Sequence, residues 1–376
     1  MSLRTIGSYV RELRPALSAG AFAPARSRLF WLPVHLGIVV LSATAISRAW
    51  VAWPMDIVLS LVIGGCFGGL TFLGHETLHG GVVRGRRLRH AVGFIGFLPF
   101  MVSPSLWIAW HNRVHHGHVG EPGTDPDAYP TLAEYEGSRA VRIITDHFSL
   151  GDGHRAGLLS LLFGFTGQSG QVLVGARKIV GMSARQHRRA IAETALGGAI
   201  WLTVGVLVGP VSFLLIFFLP LIVANAIVMA FILTNHSLSP RTDVNDPLAN
   251  SLSVTTPRLV EWLTLRFGFH VEHHLFPSMS SRHAPEVRAL LRARWPERYQ
   301  SMSLVQALGA MARTGRVYKN ATTLVEPRTG RESPTLAFAV AARGGAEVPL
   351  RDERARHASD AHQDTENSGR PMAAGA

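Results

Sequence analysis

The sequence predicts an all-α integral membrane protein with four transmembrane helices in two hairpins and a cytoplasmic helical cap. Three observations support this fold class. Apolar residues make up 47% of the 376 residues and charged residues only 16%, an unusual balance for a soluble protein of this length. Four apolar segments approach the roughly 20 residues that cross a bilayer. Basic residues lie between these segments, as is typical of cytoplasmic loops.

The four apolar segments define the two predicted hairpins. They cover residues 29–46, 57–74, 192–209 and 211–233. Gly209-Pro210 separates the third segment from the fourth and predicts a tight turn between two helices. A short loop with little charge joins the first two segments, with Trp50 and Trp53 as expected interface anchors.

The same pattern predicts three parts of the chain. Residues 1–28 form a basic N-terminal segment, and residues 29–325 form the membrane domain. In residues 326–376 the apolar periodicity fades, and Arg, Glu, Asp, Ala, Gly and Ser dominate most of the segment. A segment of this composition cannot bury a core, so we expect a disordered tail.

The distribution of basic residues predicts the orientation in the membrane. The formal net charge is +12, and arginines cluster before the first span and again over residues 177–189. By the positive-inside rule, both termini and the long central loop are expected in the cytoplasm. Basic residues placed between apolar runs favour a membrane surface with anionic lipid, and no nucleic-acid partner is expected.

Two further apolar stretches, 91–110 and 156–176, are interrupted by polar residues, proline or glycine. Either is long enough to be a fifth span. We expect the first to lie at the interface or to enter the membrane and return. Only then do all the histidine clusters described next reach the same side.

The most informative feature is the placement of the 18 histidines. Three clusters, each close to an apolar segment, carry half of them. They read HETLH from His75 to His79, HNRVHHGH from His111 to His118, and HVEHH from His270 to His274. On a helix, residues spaced i, i+3 and i+4 share one face, so each cluster presents its rings together. Histidines have no other reason to cluster in this way.

Clustered imidazoles are typical ligands of zinc, copper, iron or nickel. One zinc ion needs only three or four protein ligands. Eight or nine clustered histidines are therefore about right for two ions. His236 ends the fourth apolar segment on the same predicted side and is a ninth candidate. Glu76, Asn112 and Glu272 are candidates to hydrogen-bond the ligating rings and fix their tautomers.

The three clusters and the hairpins between them resemble the membrane fatty acid desaturase family. The family pattern is HxxxH or HxxxxH, then HxxHH or HxxxHH, then HxxHH. This chain has HETLH, HNRVHH and HVEHH in that order, and the third continues as HVEHHLFP. The resemblance covers residues 29–305 and is far more specific for the superfamily than for the substrate.

The resemblance implies a non-haem centre of two irons with nine histidine ligands, and it leaves His118 outside this set. The implied ligands are His75, His79, His111, His115, His116, His236, His270, His273 and His274. It also implies an O2-dependent desaturase that introduces a cis double bond into a lipid acyl chain. No sequence motif of a fused electron carrier is present. Electrons are therefore expected from a separate ferredoxin or cytochrome b5 type donor with its reductase.

Aromatic residues flank the clusters and are candidates for the walls of an acyl tunnel, although membrane-interface aromatics explain them equally well. They are Trp107, Trp110, Phe267 and Phe269. Two other functions stay open at this point. A hydroxylase or ketolase acting on a lipid or carotenoid shares similar clusters. A histidine-rich metal transporter is the alternative from another class, but its ligands are expected near the bilayer centre in broken spans.

Overall fold

The computed structural model describes residues 2–152 and 155–336, and most of the predicted tail lies outside these residues. The described chain is mostly helical. Its α-helices are α1 Ile6–Leu13, α2 Trp31–Ser47, α3 Trp53–Leu78, α4 Arg86–Phe97, α5 Pro104–Trp107, α6 Leu132–Gly137, α7 Arg139–Phe148, α8 Leu158–Val174, α9 Ala176–Ile179, α10 Ala184–Val208, α11 Pro210–Phe213, α12 Leu219–His236, α13 Pro247–Asn250, α14 Arg258–Leu263, α15 His270–Leu275, α16 Ala284–Arg294 and α17 Leu304–Met311. Two π-helices cover Ile108–His115 and Leu214–Phe218.

Four helical stretches in the described residues are long and apolar enough to cross a membrane, as predicted. They are Arg26–Ser47, Trp53–Leu78, Ala184–Val208 and Pro210–His236. The second stretch, helix α3, is the most enclosed, with 67% of its apolar window buried. Helix α3 packs against α2, α4 and α12, so it forms the centre of the helical assembly.

Local sequence explains where the helices that carry histidines begin and end. Helix α3 continues through His75 and stops at Leu78, where Gly80 adopts a positive φ of 88°. This is the stop that Gly80-Gly81 predicts, because glycine tolerates the left-handed conformation. Helix α12 ends at His236, as expected for the last span.

The ambiguous stretch 91–110 is broken into two helices. Helix α4 and the segment Pro104–His115 meet at an angle of 101°. At the break, Met101 has a left-handed φ of 56°, and the Ser103 hydroxyl caps the next helix by accepting from the Leu106 amide. Pro104 then starts helix α5 at a position whose N–H has no partner within the helix, so proline loses no hydrogen bond there.

Helices α3 and α4 approach so closely that only glycine fits between them. A Cβ on Gly96 would lie 2.6 Å from the Gly74 Cα and 2.7 Å from the Leu70 carbonyl oxygen. This contact holds α4 against the part of α3 that carries His75. Helix α4, which precedes the second histidine cluster, is therefore held against α3 by backbone packing.

Five short strands depart from the all-α prediction. They are β1 Ser253–Thr255, β2 Ser301–Ser303, β3 Val317–Asn320, β4 Thr323–Glu326 and β5 Arg331–Pro334. Strands β1 and β2 pair in parallel, and β3, β4 and β5 form an antiparallel sheet. Strands of three or four residues are too short to show a period-two apolar pattern, so the sequence did not reveal them.

The antiparallel sheet carries order past the predicted boundary at residue 325. Arg316 and Glu326 form a fully buried ion pair, and Arg316 also donates to the Thr145 carbonyl oxygen on α7. Burying a paired charge in this way requires fixed neighbours on all sides. Strand β5 therefore belongs to the folded part of the chain although its residues are mostly polar.

Candidate metal centre

Nine buried or half-buried histidines meet in two groups at the ends of the long helices. Within each group, the ligand atoms lie within 4.8 Å of one another. The first group contains five residues, namely His75, His79, His111, His116 and His273, and the second contains four, namely His115, His236, His270 and His274. Every histidine predicted as a ligand is in one of the two groups. The exposed His118, which pairs with Glu121, is in neither.

The first group draws on three separate parts of the chain. His75 and His79 lie one turn apart at the end of α3, with ring centroids 4.7 Å from each other. The Nε2 atom of His75 is 2.9 Å from Nε2 of His111, and Nε2 of His273 is 3.1 Å from Nε2 of His116. The buried Nε2 of His79 has no hydrogen-bond partner in the described residues.

The second group joins the end of α12 to α15. The Nε2 atom of His270 is 2.7 Å from Nε2 of His236 and 3.0 Å from Nε2 of His274. The His115 ring completes the group, with its centroid 4.7 Å from that of His236. The placement of His236 agrees with the sequence argument that the end of the last span reaches the clusters.

These separations fit metal coordination. Ring nitrogens about 2.1 Å from one ion and at right angles to each other lie roughly 3.0 Å apart. The measured Nε2 separations run from 2.7 to 3.2 Å, and the atoms face one another in a buried space. A neutral Nε2 can donate or accept only one hydrogen bond, so His270 cannot satisfy both His236 and His274, whereas a cation satisfies every nitrogen at once. The residues therefore fit a metal in each group.

A π-helix divides the second cluster between the two groups. At the end of the π-helix Ile108–His115, the His116 amide donates to the carbonyl oxygen of His111, five residues earlier. This wide turn places Nε2 of His116 3.2 Å from Nε2 of His111. His115 is turned toward the other group. The two groups are neighbours, because the rings of His116 and His274 are 4.4 Å apart.

Two aspartates that the sequence argument missed support His115. The His115 Nδ1 lies 2.8 Å from Oδ1 of Asp125 and 3.4 Å from Oδ2 of Asp127. The Gly120 amide donates to Asp125, and Trp110 and Gln168 donate to Asp127. A carboxylate on Nδ1 places the ring proton there and leaves Nε2 free for a metal. The only sequence signal is the pair of aspartates in the turn that follows the second cluster.

The local charges set the protonation of this pair. Burial alone would raise the pKa of Asp125, but its ion pair and hydrogen bond with His115 outweigh burial and hold that pKa below its usual range. Burial and repulsion from Asp125 raise the pKa of Asp127, although His115 opposes the shift. Asp125 is therefore the charged partner of His115.

Burial also keeps five of the nine clustered histidines neutral. Burial lowers the pKa of each of these five rings, and neighbouring histidines lower it further. These members are His79, His116, His270, His273 and His274. For His273 the resulting pKa is about 3. Neutral imidazole is the form that binds a metal, so these five rings are in the metal-binding form at physiological pH.

Glu76 does not contact the ligating rings, contrary to the sequence expectation. Its carboxylate accepts hydrogen bonds from the Ser280 hydroxyl and the Ser281 amide, and Arg28 lies 3.9 Å away. These contacts tie the end of α3 to the loop that follows α15. The spacing of Glu76 within the cluster points it away from the face that carries His75 and His79.

Glu272 and Asn112 also bind other groups. Glu272 accepts from Arg288 at 2.9 Å, from Tyr299 at 2.6 Å and from the Ser253 hydroxyl at 2.5 Å. The Ser253 oxygen in turn accepts from the amides of His270 and Val271, so Glu272 fixes the start of α15. The Asn112 side chain donates to the Leu78 carbonyl oxygen and links the second cluster to α3.

The four aromatic candidates divide into two pairs. The buried Trp107 stacks on His111 with centroids 4.4 Å apart, and Trp110 packs against Phe165. Phe267 lies 5.0 Å from the His75 ring, and the Phe269 ring faces the guanidinium of Arg288. The second pair lines a cleft.

That cleft reaches the metal centre at His75 and His273, and Phe72, Phe267 and Phe269 supply much of its apolar wall. Its volume is about 20 Å³, enough for about one water molecule. Leu265 and Arg266 in the same wall have positive φ values of 53° and 64°. Such backbone is strained in residues other than glycine, and it occurs often at functional sites.

Comparison with known proteins agrees with this site. Residues 48–305, a range of 258 of the 376 residues, match the sequence profile of the fatty acid desaturase family. A stretch of 124 residues is 30% identical to the sn-1 acyl-lipid omega-3 desaturase (ferredoxin) of Synechocystis sp., and it covers 32% of this chain and 33% of that protein. The match thus spans about a third of the length of this curated relative. The resemblance inferred from the three histidine clusters is confirmed.

Proposed function

The chain belongs to the fatty acid desaturase family, and from this premise we propose that it is an O2-dependent fatty acyl desaturase. It introduces a cis double bond into a lipid acyl chain with a pair of histidine-ligated irons. The observation that carries this proposal is the division of nine clustered histidines into neighbouring groups of five and four. One ion cannot use nine imidazoles, whereas two ions can.

The proposed ligands follow from this grouping. One iron would be held by His75, His79, His111, His116 and His273, and the other by His115, His236, His270 and His274. Two irons bound in this way would supply the oxidising chemistry with O2 that removing hydrogen from an unactivated methylene requires. Imidazole is a suitable ligand for iron, and no thiolate competes, because the single cysteine, Cys66, is buried in α3.

The protein positions the ligand rings, keeps the approach to them apolar and fixes the tautomer of His115. Asp125 holds the proton of His115 on Nδ1, and Trp107 restricts the His111 ring by stacking on it. Phe72 and Phe267 keep the approach to His75 apolar. Since a volume of about 20 Å³ is too small for an acyl chain, we propose that the side chains around Phe267 move when substrate enters.

Partners and membrane placement are part of the proposal. The relative in Synechocystis sp. is named as an acyl-lipid desaturase that uses ferredoxin, which supports a lipid substrate and a separate electron donor. A ferredoxin or cytochrome b5 type donor with its reductase would supply the electrons.

We place both termini and the metal centre on the cytoplasmic side. The bend of 101° in residues 86–115 supports a segment that does not cross, because His111, His115 and His116 then share the side of His75.

Expression in a host that lacks the corresponding unsaturated lipids tests the function. Gas chromatography with mass spectrometry should show a new cis-unsaturated fatty acid, and the purified chain should hold close to two irons. His270→Ala should abolish the product and reduce bound iron. The matched control His118→Ala, in an exposed histidine outside both groups, should keep both.

Two results would contradict the proposal. A hydroxylated product in place of an alkene would assign the chain to a different reaction on the same centre. Full activity with stoichiometric zinc and negligible iron would remove the metal assignment.

A further inference from the structure

A large groove beside the metal centre contains none of the nine histidines. It has a volume of about 900 Å³. Helix α4, the segment that carries the second cluster and the first half of α10 form its walls. We name it the arginine groove for its five arginines, Arg86, Arg87, Arg89, Arg113 and Arg189.

The charge of the arginine groove is strongly positive. Its one acidic residue, Glu193, already accepts from Ser103, Ser105, His90 and Arg189. Glu193 therefore offsets Arg189. The other four arginines form no ion pair within residues 2–152 and 155–336.

The groove also has an apolar side. Phe94, Ile95, Ile108 and Leu196 line it together with the arginines. Leu196 lies on α10, and only 11% of the apolar window of that candidate span is buried within the protein. The wall of the groove is thus a helix that faces outward, where lipid would surround it. Arginine side chains at the end of such a helix lie at the level of lipid headgroups.

We propose that the arginine groove binds the phosphate of an anionic phospholipid, with an acyl chain along the apolar side. Arginine suits this role because its planar guanidinium donates two parallel hydrogen bonds to a phosphate. A bound headgroup joins α4 to Arg113, which stands between His111 and His115 in the π-helix. The lipid therefore stabilises the segment that carries the second histidine cluster. This assignment is independent of the reaction at the metal centre.

Native mass spectrometry of the detergent-purified full chain tests the proposal. Phosphatidylglycerol should bind with a saturable 1:1 component, whereas phosphatidylcholine with the same acyl chains should bind much more weakly. Glycerol 3-phosphate alone should show no comparable affinity, because it lacks the chain that fills the apolar side. Binding of glycerol 3-phosphate as tight as that of the lipid would overturn the lipid assignment.

Matched double variants distinguish specific lipid binding in the groove from nonspecific electrostatic attraction. Arg86→Gln with Arg87→Gln should weaken phosphatidylglycerol binding about 25-fold, since each basic residue near an anionic surface contributes roughly fivefold. Arg185→Gln with Arg188→Gln removes the same charge from exposed residues of α10 that do not line the groove. This control should change binding less than about twofold. Equal losses in the two variants would overturn the proposal.

Thermal unfolding gives a second readout. Phosphatidylglycerol should raise the Tm of the wild-type chain and of the control variant by mass action. It should leave the Tm of the Arg86→Gln, Arg87→Gln variant nearly unchanged. An undiminished rise in that variant would also contradict the assignment.

Discussion

Replacing Asp125 by Asn tests how the protein orients a metal ligand. Asp125 is buried and accepts hydrogen bonds from the His115 ring, the Gly120 amide and the Asp127 amide, at 2.8, 2.8 and 3.0 Å. The first and third reach Oδ1, and the second reaches Oδ2. An asparagine has only one acceptor oxygen, so its NH2 group must face one of these donors.

The expected magnitude follows from this mismatch. If the asparagine oxygen stays on His115, the Gly120 N–H is left buried and unpaired, which costs about 1–3 kcal/mol of folding free energy. If the side chain flips, His115 loses the acceptor that fixes its tautomer. Loss of such a partner lowers metal affinity by about 10–100-fold. We therefore expect Asp125→Asn to lower both stability and iron retention.

The assay is iron content per chain after equilibration with graded concentrations of a chelator, with Tm measured in parallel. Asp127→Asn should have a smaller effect, since its distance to His115 is 3.4 Å and an asparagine oxygen can still accept from Trp110 and Gln168. Asp243→Asn makes the same change at an exposed position and should behave as wild type. If iron retention is the same in all three variants, the orienting role of Asp125 is refuted.

Three further predictions follow from packing, charge and the metal. Gly96→Ala should lower stability by about 1–3 kcal/mol in denaturant titrations, because its Cβ would lie 2.6 Å from the Gly74 Cα, whereas Gly167→Ala meets nothing within 4 Å and should be tolerated. Glu272→Gln should destabilise the fold by about 3–5 kcal/mol, since it leaves the largely buried Arg288 unpaired; unchanged thermal unfolding would contradict this. Stripping the metal with a chelator should lower the Tm, and re-addition of iron should restore it, because the clustered imidazoles are stable together only around a cation.

The spans and the set of nine clustered histidines could be predicted because both depend on local sequence. Apolar runs such as 57–74 identify helices, and the spacing from His270 to His274 places the rings on one face. The end of α12 at His236 followed from the same reasoning. The second and third clusters each divide between the two groups, and this division depends on tertiary packing that the sequence does not give.

The partners of the ligands could not be predicted, because they depend on tertiary packing. Glu272 looks like a neighbour of the rings in the sequence, yet Arg288 and Tyr299, 16 and 27 residues later, take its carboxylate. Asp125 lies in a turn whose path the sequence does not fix. The strands near the C-terminus were missed because each is only four residues long, too short to show an apolar pattern.

The π-helix at Ile108–His115 has a consequence for how this motif varies in length. A π-turn is an α-helical turn with one residue inserted, and it occurs often at functional sites. The family patterns HxxHH and HxxxHH differ by one such residue, and this chain has the longer form. The bulge absorbs the insertion and lets His111 and His116 meet. A chain with the shorter motif can then present the same two rings from a regular turn, so the motif can gain or lose one residue during evolution without exchanging the histidines between the two groups.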